Sequence, residues 1–364
     1  MGRHTALYSQ HLAAGAKIVD FSGWDMPLHY GSQLQEHHQV RSDAGMFDVS
    51  HMNITDIMGV DAGIFLRYLL ANNIDKLVKN GKALYTCMLN AQGGVVDDLI
   101  VYKITDTHYR LVLNAGTRDK DALWIQQHAE AFNVVIKPLD DLAIVAVQGP
   151  HARAKISKIP FLQREEVTHL EPFFAVQVGD CFVARTGYTG EDGLEIMIPF
   201  HKVEVFWQDL LALGVMPCGL GARDSLRLEA GMSLYGNDMD DMTTPLESNL
   251  AWTVAWHPED RKFIGRGVLE QQKKHGIKRR LVGLVLAKGG VLRSHQRVIV
   301  KGLGEGETTS GGFSPTLNCA IALARIPVGE GGLDSIKSNC FVEIRNKLLP
   351  VDIVTLPFVI ARNR

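Results

Sequence analysis

The stretch KALYTCMLNAQGGVVDDLIVYKITDTHYRLVLN, Lys82 to Asn114, reads as three strands: Leu84 to Asn90, Val95 to Ile104 and Tyr109 to Asn114. They are rich in apolar and β-branched residues and are separated by Gln92-Gly93-Gly94 and Thr105-Asp106-Thr107-His108. Breaks this short predict an antiparallel meander. Upstream, Ser32 stands where it would cap a helix over Gly31 to Arg41, whose Leu34, His37, His38 and Arg41 fall at helical spacing. Ala62 to Leu70 is apolar all round and predicts a buried helix. Downstream, Arg118 to Phe132 predicts a helix and Leu142 to Gln148 a strand ending at Gly149-Pro150, followed by a helix over His151 to Ile159. Further strands at Phe174 to Gly179, Cys181 to Arg185 and Leu194 to Ile198, with helices at Lys202 to Leu213 and Ala222 to Ala230, repeat the same mixture. The class is α+β.

The charged run Gln271 to Arg280 (QQKKHGIKRR) predicts a solvated linker, with 1–270 on one side of it and 281–364 on the other. Beyond it, five short strands are expected between glycine-rich turns: Leu281 to Leu286, Gln296 to Val300, Ala320 to Arg325, Cys340 to Ile344 and Leu349 to Val354. That pattern suits a small barrel or sandwich.

The 364 residues, 46% hydrophobic, are enough for more than one core. A net charge of −2 argues against nucleic acid and anionic membranes as partners, and no apolar run is long enough to span a bilayer. Five scattered cysteines without a CxxC pair read as reduced thiols in a cytoplasmic setting, not a disulfide framework or a zinc site.

Three clusters carry candidate chemistry. In the strand Val95 to Tyr102, adjacent Asp97 and Asp98 must point to opposite faces. Asp98 shares its face with Val96, Ile100 and Tyr102, Asp97 with Val95, Leu99 and Val101; only the first offers an aromatic with a polar tip, which favours Asp98. An arrangement in which one Asp caps the Gly-Gly turn and the other is solvated fits equally well. In Arg185 to Glu195, three glycines at spacing three would let backbone approach a flat ligand, with Tyr188 to stack and Glu195 to accept ring N–H bonds; a ligand-free hairpin is the plainer alternative. On the helix after Cys218, Arg223 and Arg227 are one turn apart and suit an anionic ligand, although salt bridges to Asp224, Glu229 or Glu191 explain them as well. Cys218 reads as a buried small hydrophobe, and His37, His38 and His51 lack the spacing of a metal site.

Five ordered motifs run through the first 260 residues: FSGWDMPLHYGS (Phe21 to Ser32), EHHQVRSDAGMFDVSHM (Glu36 to Met52), GKALYTCMLNAQGGVVDDLIVY (Gly81 to Tyr102), GYTGEDGLEI (Gly187 to Ile196) and CGLGARDSLRLEAGMSLYGNDM (Cys218 to Met239). With TSGGFSPTLNCAIALARIP (Thr309 to Pro327) and LPVDIVTLPFV (Leu349 to Val359), they resemble the T-protein (aminomethyltransferase) family of the glycine cleavage system over nearly the whole chain. The resemblance implies a three-domain folate-binding architecture ending in a β-barrel. It implies transfer of a methylene from the aminomethyl-lipoyl arm of the H-protein to tetrahydrofolate, releasing ammonia, with no metal. It carries Asp98 over as the essential carboxylate and Tyr85, Tyr102, Tyr188, Glu195, Arg223, Arg227 and Arg362 as folate contacts. Two departures stand out: Gly302 to Thr309 lacks the isoleucine expected before Thr-Ser, and Phe173-Phe174 stands where relatives carry tyrosine. The neighbouring expectations are a demethylase of the same superfamily and a folate-binding scaffold without transfer.

Overall fold

The computed structural model describes residues 2–329 and 339–360. The meander forms as its breaks require: Ala83–Leu89, Val95–Thr105 and His108–Leu113 pair antiparallel in order, and Asn53–Met58 and Val135–Pro138 extend them to a five-stranded sheet. A six-stranded sheet runs in the order Ala175–Val178, Cys181–Ala184, Gly193–Pro199, Leu142–Gln148, Gly45–Asp48, Met216–Pro217.

Each sheet has one helix-covered face. On the five-stranded sheet, Leu99, Val101 and Leu111 pack against Phe65, Leu66 and Leu69 of helix Ala62–Leu69 and Ile125 of helix Arg118–Ala129. On the six-stranded sheet, Val145, Val147 and Ile196 pack against Phe206, Trp207 and Leu210 of helix Phe200–Ala212. The remaining faces meet each other, with Ala83, Tyr102 and Val112 against Phe47, Ile144, Phe182 and Met197. Because strand side chains alternate, Ile100, Tyr102 and Ile104 enter this inter-sheet layer and Leu99 and Val101 the helix-covered core; a bulge at Val96 breaks the alternation there and puts Val96 in the helix-covered core, which corrects its expected place on the face of Asp98. The helix Ala62–Leu69 corrects one expectation: it is amphipathic, with Ile64 62% exposed, because only one of its faces has a sheet to lie on.

The charged run is also not a linker throughout. Arg266–His275 is a helix, and its one fully buried residue, Leu269, packs with Leu250, Val254 and Phe263 beneath the turn at Gly93. Burying such a side chain contributes ~1.5–3 kcal/mol, enough to order a helix whose remaining faces are charged. In the C-terminal, barrel-like sheet the order is Lys347–Pro350, Cys340–Ile344, Arg297–Val300, Gly304–Ser314, Cys319–Pro327, Arg279–Leu286, Asp352–Val354. Among the described residues its seven strands replace the five expected: Leu349 to Val354 is divided between Lys347–Pro350 and Asp352–Val354, and one strand was not foreseen. The missed one, Gly304–Ser314, is polar and glycine-rich, yet it pairs on both sides because small residues admit its neighbours: a Cβ at Gly306 would stand 2.3 Å from the Arg325 carbonyl oxygen. Among the described residues no helix is long and apolar enough to cross a membrane.

Candidate functional site

Alternation along Val95–Thr105 sends Asp97 into the helix-covered core, where it is fully buried, and Asp98 toward the inter-sheet layer, where it keeps some exposure. The expectation that only one of the two would face inward is corrected, since neither is a surface group. The aromatic that holds Asp98 also differs from the one its own strand suggested. Tyr85, on the adjacent strand, donates from Oη to Asp98 Oδ2 at 2.7 Å, and Asn114 Nδ2 donates to Asp98 Oδ1 at 2.9 Å. Asn114 holds Asp97 as well, through Nδ2 to Oδ1 at 2.9 Å and its backbone N–H to Oδ2 at 3.1 Å. One asparagine thus sets the geometry of both carboxylates.

The Tyr85 ring stacks on Trp252 at 5.5 Å, and Trp252 is 64% exposed, so the path from Asp98 to the surface is lined by aromatics. Burial, and then the charge of Asp97, push the Asp98 carboxyl up to about 7. Both of its protonation states are therefore populated near neutral pH, which suits a group that must take up and return a proton. Burial and the neighbouring Asp98 carboxylate raise the Tyr85 phenol well above its ordinary value, which keeps it a neutral donor.

The glycine-rich hairpin supplies a second set of groups. Tyr102 Oη lies 3.1 Å from Thr186 Oγ1, which donates to Glu195 Oε2 at 2.6 Å. Tyr102 itself is buried, edge-on to Phe182, and reaches the site through this relay. The Tyr188 hydroxyl donates to the Ser233 carbonyl, and the Arg223 guanidinium sits 4.8 Å over the Tyr188 ring. The glycines themselves serve packing: a Cβ at Gly187 would stand 1.9 Å from Gln148 Oε1, and one at Gly193 2.2 Å from the Val147 carbonyl oxygen. They bring this hairpin against the neighbouring strand, which corrects the expectation that they open backbone to a ligand.

The two arginines, expected to act together, have separate fates. Arg227 is consumed by the protein, donating to Asp224, Asp238, the Met232 carbonyl and Ser310 at 2.8–3.1 Å. Arg223 Nη1 is buried and has no acceptor among the described residues. Nearby, His51 Nδ1 is also buried without a partner, and burial together with the Arg223 charge lowers that imidazole to about 4, leaving it neutral. Asn53 Oδ1, at the start of the adjoining strand, is unpartnered too. Unsatisfied buried donors and acceptors are costly, and a polar ligand is one way to satisfy them. Glu229 and Glu191, considered as partners for these arginines, pair instead with Arg41. His37 is a satisfied core histidine bonded to Ser225, and Cys218 is a buried thiol. Arg362 lies outside the described residues.

Sequence reasoning missed Asn114, Thr186 and Trp252, and it read His51 as a satisfied structural histidine, whereas its Nδ1 is buried without a partner among the described residues. Only Asn114 carried a local signal, a polar residue closing an apolar strand beside two aspartates.

The chain matches the GCVT N-terminal domain over residues 7–258 and the glycine cleavage T-protein C-terminal barrel domain over residues 279–359. It is 56% identical to an aminomethyltransferase of Legionella pneumophila over 354 residues, covering 97% of each chain. The crystal structure of the glycine cleavage system aminomethyltransferase T from Bartonella henselae superposes with a TM-score of 0.92 at 33% identity, covering 100% of this chain and 99% of that one.

Proposed function

This chain belongs to the glycine cleavage T-protein family and is an aminomethyltransferase of three-domain architecture, and we propose that Asp98, held by Tyr85 and Asn114, is where its transfer chemistry takes place. The observation that carries this reading is a partly exposed carboxylate with a near-neutral proton affinity at the inner end of an aromatic path. The partners in this reading are a lipoylated H-protein bearing the aminomethyl group and tetrahydrofolate. In this reading residues 1–270 are the folate-binding region and residues 281–364 the barrel domain, of which 281–329 and 339–360 are described. Five unpaired thiols favour a cytoplasmic setting.

The residues present fit a folate. Arg223 Nη1, His51 Nδ1 and Asn53 Oδ1 lack partners, and Glu195 and Tyr188 line the same inter-sheet region; a flat heterocycle bearing both donors and acceptors would complete them. Tetrahydrofolate, when bound, supplies the nitrogen nucleophiles that receive the methylene. Asp98 Oδ1 and Oδ2 each already accept one hydrogen bond, which fixes the carboxylate plane and leaves lone pairs for a proton. As the two folate nitrogens bond to the carbon, its bonds to ammonia and to the lipoyl sulfur break; ionised Asp98 would take the proton released at an attacking nitrogen and return it to the departing ammonia, and the second proton would go to the thiol of the dihydrolipoyl arm. Tyr85 holds the carboxylate in place, and its ring with Trp252 keeps bulk water from the reacting carbon. Arg227, with its donors occupied, serves the helix that carries Arg223.

Mixing the protein with aminomethyl-loaded H-protein and following ammonia with and without tetrahydrofolate tests the assignment. Folate-stimulated release with methylenetetrahydrofolate formed is expected; folate binding without release would overturn it in favour of a demethylase or a scaffold.

Two quantitative expectations arise here. Because the ionised form of Asp98 is the proton acceptor and its proton affinity is raised, kcat/KM should climb as pH rises through about 7. A profile flat from pH 5 to 9 would remove Asp98 from that role. Arg223→Met should weaken tetrahydrofolate binding roughly ten- to a hundred-fold, from about 1.5–3 kcal/mol for a hydrogen bond to a charged group. Calorimetric titration reads this directly, and an unchanged Kd would take Arg223 out of the site.

A further inference from the structure

Helix Arg118–Ala129 brings to the aspartate pair one residue that none of the roles above uses. Asp121 is 0% exposed, and neither of its carboxyl oxygens meets a donor among the described residues. What it faces is another acid: Thr117, one turn before it, donates to the Asn114 carbonyl, Asn114 holds Asp97, and Ile125, one turn after it, packs on Leu99 and Val101, which share the face of Asp97. Two ionised carboxylates side by side in a buried place repel each other strongly, so one of the pair holds a proton. Asp97 has dedicated donors in the backbone N–H and the amide of Asn114, which favour charge on Asp97; Asp121 has no comparable set.

We propose that Asp121 is a positioning residue, a buried neutral carboxylic acid that donates to Asp97 and keeps Asp97 ionised in the orientation that locks Asn114 against Asp98. Desolvation followed by the charge of Asp97 pushes Asp121 up to about 10, in line with that assignment. The consequence reaches Asp98, because the charge of Asp97 is the second cause, after burial, of the near-neutral proton affinity there. The charged and titratable groups facing Asp121 are Asp97 from the strand, Lys120 from its own helix, and Tyr235 from the loop after helix Leu220–Glu229. Lys120 does not neutralise the acid directly, since its Nζ is engaged by Tyr235 Oη at 2.5 Å and Asp241 Oδ2 at 2.9 Å. The effect on rate rests on the reading of Asp98 given above; the location of the proton does not.

The test has two arms. In protein labelled with carboxyl-13C aspartate, one resonance should still carry the shift of a neutral acid at about pH 8.5, where Asp98 is largely ionised, and should vanish in Asp121→Asn. Its absence from the parent, or its persistence in Asp121→Asn, would overturn the proposal. In steady-state turnover, Asp121→Asn should stay within a few-fold of the parent, because its amide donates the same bond. Asp121→Ala should lower kcat roughly ten-fold or more with little change in KM, and should move the rising limb of kcat/KM to lower pH. The shift follows because Asp97, without its donor, takes a proton and no longer repels the charge on Asp98. If Asp121→Asn were as defective as Asp121→Ala, a permanently neutral donor would not suffice, and the proposal would fail. Should Asp121→Ala not fold, the resonance and the Asn variant still decide. Should Asp98→Ala retain turnover, the catalytic reading falls, and the carbon resonance still reports on Asp121.

Discussion

Asp98→Ala should lower folate-dependent ammonia release by roughly 10²–10⁴-fold, the range that a positioned acid–base group supplies. The fold should survive the change, because the carboxylate is held in its place at a cost. Burial and the charge of Asp97 raise its proton affinity to about 7, against an ordinary value of about 4 in the unfolded chain. The sign follows from linkage: the folded chain binds the proton more tightly, so the contribution of Asp98 to stability is fully present below the unfolded pKa and is lost as pH rises through about 7. At pH 8 the Ala variant should therefore be at least as resistant to urea as the parent, with the advantage shrinking on acidification. Tetrahydrofolate binding should persist, because Arg223, Tyr188 and Glu195 stand on other elements. A variant that turned over at near-normal rates would end the assignment, whereas one that simply unfolded would contradict the linkage argument. Asp98→Asn gives the same answer with the Tyr85 and Asn114 contacts kept nearly in place.

The second large effect concerns stability. Arg227→Met should cost roughly 3–5 kcal/mol, the scale on which removing one partner of a buried ion pair is felt. Arg227 is 2% exposed, and Asp238 is fully buried. Asp238 Oδ2 accepts from Arg227 Nη1, the Leu234 N–H and Ser310 Oγ, each at 2.9 Å, and Oδ1 accepts from Thr309 Oγ1 at 2.5 Å. Methionine fills much the same volume, but it leaves this carboxylate without a counter-charge. The node joins helix Leu220–Glu229 to the barrel strand Gly304–Ser314, so its loss should also loosen Arg223, one turn earlier on the same helix, and weaken folate binding. A urea midpoint unmoved from the parent would mean that the ion pair contributes nothing net; restoration by the added change Asp238→Asn would locate the cost in the stranded charge.

The node also marks where local reading reaches its limit. From its side-chain pattern alone, the meander Ala83–Leu89, Val95–Thr105, His108–Leu113 was legible to within a residue or two, as were Leu142–Gln148 and the cap at Ser32. Periodicity of two or 3.6 residues and short polar breaks act over a few positions, and so do the preferences that decide them. The same alternation put Asp97 and Asp98 on opposite faces and tied Asp98 to Ile100 and Tyr102. Which face met helices and which met another sheet depended on partners far along the chain. So did the choice of Tyr85 over Tyr102 as the holder of Asp98, the capture of Arg227 by Asp238, and the pairing of a glycine-rich segment such as Gly304–Ser314. The sequence by itself determined the mixed class, the meander and the aspartate strand, because each rests on short-range geometry. Only the tertiary structure decided that Asn114 bridges both carboxylates, that Asp121 is buried with neither oxygen partnered among the described residues and that Arg223 alone of the two arginines stays unsatisfied there, because a buried hydrogen bond or charge pair is set by what the packed chain brings within about 3 Å.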